Sequence, residues 1–276
     1  MYQRLKPETS RLNIGISQYW FAGLPIDLGL GISLYQNDTT YQTRELSLTS
    51  DYRISSNLKI TSKLYTVTSN TANDIVLQSE PDGKKQGANL GFLYQNLDKI
   101  DVPTKGVRIG VSYGIANKDI EGDSLGIFRQ QNISMEFNSY VPILNSSVIA
   151  SRINGFYVAG DTFTENDLDR FGGANSLRGY SEEQFLASKL IWGDLEYRFL
   201  TDQSSYLFLF AATGYFSRPQ LIYEIDETFT QQDWLYSSGF GLSYKTAIGR
   251  LTFSYAVSST QSLGNGKVHF GIKTSF

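Results

Sequence analysis

The chain has 276 residues, a formal charge of −3, one histidine and no cysteine. Its charges are scattered singly, with no basic stripe for nucleic acid, and the lack of thiols removes disulfides, zinc–thiolate sites and cysteine catalysis. Hydrophobic residues make up 41% of the sequence but never run together for the ~18 positions that a spanning helix needs, which excludes a helical membrane protein.

In chain order, the recurring feature is alternation of period two, the signature of a strand with one apolar and one polar face. Residues 10–20 give the first such segment, with the stretch before about residue 22 expected to form a partial strand. Leu28, Leu30, Ile32 and Leu34 then alternate with Gly29, Gly31 and Ser33. Val107, Ile109, Val111, Tyr113 and Ile115 alternate with Arg108, Gly110, Ser112, Gly114 and Ala116. Ile133, Met135 and Phe137 face away from Asn132, Ser134 and Glu136, and Leu251, Phe253, Tyr255 and Val257 from Thr252, Ser254, Ala256 and Ser258. About thirteen segments of this kind are predicted, near 10–20, 26–36, 44–54, 57–68, 87–96, 106–116, 130–142, 147–158, 189–200, 205–216, 235–246, 249–258 and 267–276.

The joins sort by length. Short ones at 22–25, 54–57, 145–147 and 247–249 alternate with long polar ones at 69–86, 117–129, 159–188 and 217–234. That is the habit of membrane barrels, with tight turns on one side and long loops on the other. A soluble barrel or sandwich would put charge on its outward face. Here the polar face is mostly Gly, Ser, Thr and Asn, while the apolar face ends in Tyr94, Tyr113, Tyr197, Tyr244 and Phe276, as an aromatic girdle would. The expected fold is therefore all-β, an antiparallel transmembrane β-barrel forming a single domain over 1–276. No basic and apolar leader opens the chain, so a mature or recombinant form is expected.

The long join 159–188 holds Arg170-Phe171-Gly172-Gly173-Ala174-Asn175-Ser176-Leu177-Arg178-Gly179-Tyr180. This resembles the signature loop R-F-x-x-G-G-x-x-x-[VL]-R-G-[FY] of the BamA-like superfamily, the bacterial surface antigen group of outer-membrane assembly factors and two-partner-secretion transporters. Other marks follow in the family's order. Asp101-Val102-Pro103-Thr104-Lys105-Gly106 is similar to its N-P-x-x-P-x-x-G turn, shortened, and Asp194-Leu195-Glu196-Tyr197-Arg198-Phe199 to its N-x-E-x-R-F strand. Ser238 to Tyr244 with Ile248 to Leu251 resembles its G-x-G-L-R-x-x-T-P-I-G-P-L strand pair. The alternating end through Phe270, Ile272 and Phe276 resembles the C-terminal signal by which such barrels are assembled. Together the marks cover most of 87–276.

The resemblance implies that the signature loop folds into the lumen, where its arginine meets acidic wall residues. Arg178 maps onto that arginine. Asp194, Glu196 and Arg198 share one face of their strand, which makes Glu196 first and Asp194 second as lumen partners. A guanidinium suits the task, being planar, rich in donors and always charged. One departure stands out: the family's next strand reads F-x-D-x-G, its Asp also meeting the loop arginine, whereas here Phe210-Ala211-Ala212-Thr213-Gly214 places alanine at that position.

His269 has no Ser or Asp spacing that suggests a catalytic set and reads as a polar wall position. Glu165, Asp167 and Asp169 read as a solvated loop rather than a metal site. No catalytic residue, metal or cofactor is expected, and the chain is not read as an enzyme. Because an odd strand count would put the termini on opposite sides, about 12 strands are expected, with 14 as the alternative, against sixteen in full-length relatives. The function implied is insertion or translocation of proteins at the bacterial outer membrane. A passive pore or structural barrel is the alternative, and a barrel protease or lipase the least favoured. The partners implied are outer-membrane lipid, client outer-membrane or secreted proteins, a separate periplasmic protein in place of docking domains, and a second copy completing the barrel's edges.

Overall fold

The computed structural model describes residues 2–6, 9–37, 41–71, 81–121, 126–222, 231–259 and 261–273. Among the described residues, fourteen strands form one antiparallel sheet: β1 (Tyr2–Lys6), β2 (Thr9–Gln18), β3 (Ile26–Asn37), β4 (Tyr41–Arg53), β5 (Leu58–Thr71), β6 (Gly83–Leu97), β7 (Gly106–Ile120), β8 (Ile127–Leu144), β9 (Ser147–Gly160), then β12 (Lys189–Leu200), β13 (Tyr206–Arg218), β14 (Gln231–Thr246), β15 (Gly249–Ser258) and β16 (Lys267–Lys273). Two short strands, β10 (Asp169–Phe171) and β11 (Phe185–Ala187), pair separately within the β9–β12 connection. Each long strand pairs with its sequence neighbour, as expected when consecutive strands are joined by hairpins.

Fourteen is the alternative count, not the preferred 12. Residues 9–18 form a full strand, paired with β3 from Thr9↔Asn37 to Gln18↔Leu28. Its inward side carries Arg11, which meets Glu183 at 3.0 Å, while Leu12, Ile14 and Ile16 form the apolar side.

The two faces are inverted relative to a soluble protein. Ile16, Leu30, Leu46, Leu90, Leu209 and Phe240 are all more than half exposed on one face, whereas Asp194, Glu196, Arg198 and Ser243 are buried on the other. Leaving a large apolar side chain in water forgoes roughly 1.5–3 kcal/mol each. So many of them on one face require an apolar solvent around the sheet.

The sheet curls about the β9–β12 connection. Glu183 in that connection meets Arg11 of β2, and Gly179, four residues earlier, donates its N–H to His269 of β16. One short segment thus touches the inner side near both ends of the strand order. Among the described residues no strand pairing joins those ends. On one rim lie the connections 19–25, 54–57, 98–105, 145–146, 201–205 and 247–248, four of them tight turns of five residues or fewer, and on the other rim lies the long 161–188.

Candidate functional site

The 161–188 connection turns inward as a hairpin. Its arms are β10 and β11, paired Asp169↔Ala187, Arg170↔Leu186 and Phe171↔Phe185. The tip is tightened by Gly172, whose N–H donates to Ser176 Oγ at 2.7 Å, and by Gly173, whose N–H donates to the Leu177 carbonyl at 3.1 Å. Phe171, Leu177 and Tyr180 are buried against inward side chains of β12 and β13, among them Trp192, Phe208, Phe210 and Phe216. The hairpin is therefore fixed by apolar packing as well as by charge.

Arg178 leaves the tip toward β12. Its Nη2 donates to Asp194 Oδ2 at 2.7 Å and to Glu196 Oε1 at 2.6 Å. The same carboxylates serve two further guanidiniums: Arg152 of β9 grips Asp194 through Nε at 2.9 Å and through Nη2, and Arg198 donates from Nε to Glu196 at 2.8 Å. All but Arg152 are buried, and the Arg178 guanidinium lies 3.7 Å from the centre of the Phe210 ring. Three cations thus share two anions in a dry setting, where losing an anion costs far more than it would in water. Asp194 also stands directly opposite Ala212 in the β12–β13 register.

Gly179 follows with φ +93, and a Cβ there would lie 3.1–3.3 Å from Ser237 and from the backbone of Val257 and Ser258. Only glycine lets the tip lie this close to β14 and β15. The N–H it presents is taken by His269 Nε2 at 3.1 Å, so the neutral ring carries its proton on Nδ1, facing Glu182 at 3.8 Å. Tyr180 donates its hydroxyl to the Tyr236 carbonyl at 3.1 Å, and Lys267 reaches Ser181 at 2.8 Å. His269, expected as a polar wall position, is buried on the inner face and there accepts the N–H of the motif's Gly179.

The root of the hairpin is anchored on the opposite wall, which corrects the reading of Glu165, Asp167 and Asp169 as a solvated loop. Asp167 is buried, with Lys85 of β6 and Lys118 of β7 each 2.9 Å from it, and Glu165 pairs with Arg170 at 2.8 Å. Arg170 also donates to the Tyr41 hydroxyl of β4 at 2.5 Å. Burial alone would raise the Asp167 carboxyl, but the two lysines hold it well below the usual range. Asp169 has no such pair, and burial pushes it up to about 6. Inward folding of the connection carries Asp167 to lysines far away in sequence.

Sequence reasoning missed Arg152, which shares Asp194 with Arg178, and Phe208 and Phe210, whose rings lie against the Arg178 guanidinium. Parity along β9 and β13 puts all three on the inward side, but only the strand register brings them to Asp194 and Glu196. Of the expected terminal signal, Phe270 and Ile272 lie exposed on the outer face, while Phe276 is outside the described residues.

A curled antiparallel sheet with an apolar exterior, a buried polar network and an inward hairpin defines the outer-membrane type of β-barrel. The chain belongs to the Omp85 superfamily, whose domain matches residues 7–276. Similar solved structures include BamA from Haemophilus ducreyi lacking POTRA domains 1–3, with 16% identity and a TM-score of 0.71 over 95% of this chain and 61% of that one. CdiB from Escherichia coli gives 14% identity and a TM-score of 0.61 over 95% of this chain and 52% of that one, and CdiB from Acinetobacter baumannii 14% and 0.52 over 95% and 55%. The chain thus spans less than two thirds of each of these structures. A search among curated proteins returned no significant match.

Proposed function

We propose that this protein is an integral component of the bacterial outer membrane that acts in insertion or translocation of other proteins, with the 161–188 hairpin as its lumen loop. The observation that carries the reading is the Arg178 junction: the arginine of the motif fastens the 161–188 connection to the inner wall through Asp194 and Glu196. A guanidinium shared between two carboxylates gives a defined docked state that a passing segment can compete for. Arg170 to Tyr180 are assigned to this loop, and Phe270, Ile272 and Phe276 to the signal for the barrel's own assembly. No residue is assigned to catalysis and no cofactor is invoked. Clients, a separate periplasmic partner and a second copy of the chain are the partners this role implies.

A second reading, a passive pore, is favoured by one feature. Beside the hairpin lie cavities of about 690 and 560 Å³, the second lined by polar side chains of β2–β8 such as Asn13, Thr43, Lys63 and Asn132. Depletion in the native host separates the two. Loss of other outer-membrane barrels supports the first reading; unchanged barrels with altered solute uptake would replace it with the second.

A further inference from the structure

The connection between β6 and β7 does not stay beneath its own strands. Asp101 in it lies against Arg250, the second residue of β15, with Nη2 donating to Oδ2 at 2.8 Å and Nε to Oδ1 at 3.4 Å, and with Lys245 of β14 at 3.8 Å. Six pairings separate β7 from β15 in the strand order, so on the curled sheet this connection reaches the facing wall. Val102, next in sequence, is 3% exposed, which a turn hanging free from a rim would not allow.

The receiving site is built for a carboxylate. Arg250 is buried and its remaining donor, Nη1, is oriented by the Ser204 carbonyl at 2.7 Å and by the fully buried Ser243 hydroxyl at 3.0 Å. This leaves the two-pronged edge of the guanidinium facing Asp101. The delivering turn is also preformed. Asp98 accepts the Thr104 and Lys105 N–H groups at 2.9 and 3.0 Å, and Gly106, at φ +113, closes the turn where a Cβ would meet the Asn96 carbonyl at 1.8 Å. The preformed turn is thus held at its far end by half-exposed Asp101 on buried Arg250, beside buried Val102.

We infer that the 98–106 turn is a bar across the mouth of the barrel on its tight-turn side, latched by Asp101 on Arg250. The hairpin enters from the other rim, so the two close the interior from opposite ends. This goes beyond the proposed role in protein insertion and holds equally for a pore.

The chain has no native thiol, so Val102→Cys reports the bar cleanly. In detergent-solubilised protein with Asp101 intact, a small maleimide should label it slowly; adding Asp101→Ala should speed labelling several-fold, since the pair is half in solvent, and Asp101→Glu should stay slow. Conductance in planar bilayers should rise with Asp101→Ala in the otherwise native sequence. Equal labelling with and without Asp101 overturns the latch, and faster labelling with unchanged conductance overturns the obstruction. Retention of the heat-sensitive folded band by each variant keeps misfolding from imitating release.

Discussion

Asp194 stands directly across the β12–β13 pair from Ala212, and it is Asp194, together with Glu196, that holds Arg178. In the related pattern the position of Ala212 carries an aspartate. Asp194 thus offers a carboxylate one strand sideways at the same level, and the arginine finds an acid there. Charge transposition tests this. Asp194→Asn should loosen the hairpin, seen as faster protease cleavage within 160–188, and Ala212→Asp added to it should restore much of the protection. If the double variant is cleaved as fast as Asp194→Asn alone, the two positions are not equivalent.

The chain should behave as an integral barrel. A sheet of this size opens only cooperatively, because every amide freed in lipid would be left unpaired. Folded protein in detergent should migrate apart from the boiled form on a gel. Exposed positions on the two rims should label oppositely: on intact cells an impermeant thiol reagent should reach Glu121→Cys, beside a long connection, and not Ser146→Cys, in a tight one. The reverse pattern would invert the topology.

Much of this was legible in sequence, for a definite reason. Parity along β12 put Asp194, Glu196 and Arg198 opposite Leu195, Tyr197 and Phe199, and the motif around Arg178 marked the inward connection. Contacts that depend on how that connection folds were not legible. Lys85 and Lys118 lie 82 and 49 residues from Asp167, and nothing local announces the meeting. Strand β2 alternates in sequence and was set aside only on the even count expected, which bounds the total and not which segment to drop. His269 read as inert because its partner is a backbone N–H, which leaves no trace in side-chain spacing.

Asp169 makes hairpin docking depend on pH. Burial raises its carboxyl to about 6, with Glu183 adding to the shift and Arg11 and Arg170 opposing it. A raised carboxyl means that the docked state binds more protons than the undocked one. Its contribution is complete below the ordinary aspartate range and is lost as pH rises through about 6. Asp167 and Glu182, both held low, act in the opposite sense and only at more acidic pH. In a His269→Gln background, which removes the only imidazole, protease protection of 160–188 should be stronger at pH 5 than at pH 7.5. Asp169→Asn should flatten the difference; a persisting difference would assign it to another group.

Removing Arg178 and removing Glu196 should not cost the same. Without Arg178, Asp194 keeps Arg152 and Glu196 keeps Arg198, so two anions face two cations and no buried charge is stranded. Without Glu196, Arg152, Arg178 and Arg198 are left with one carboxylate between them. Stranding a buried charge costs about 3–5 kcal/mol where the site is dry. Glu196→Gln should therefore lower the temperature at which the folded gel band is lost by more than Arg178→Ala does. Arg178→Ala should act mainly on the hairpin, speeding cleavage within 160–188 while the barrel stays folded. The double variant, with Arg152 and Arg198 left beside Asp194, should melt above Glu196→Gln alone, because taking away the third cation relieves part of the imbalance. If Arg178→Ala destabilises the barrel as much as Glu196→Gln, the arginine is part of the wall's own framework and the hairpin's fastening must come from Phe171, Leu177 and Tyr180. If it changes neither cleavage nor melting, the Arg178 junction carries no load and the loop role assigned to it fails.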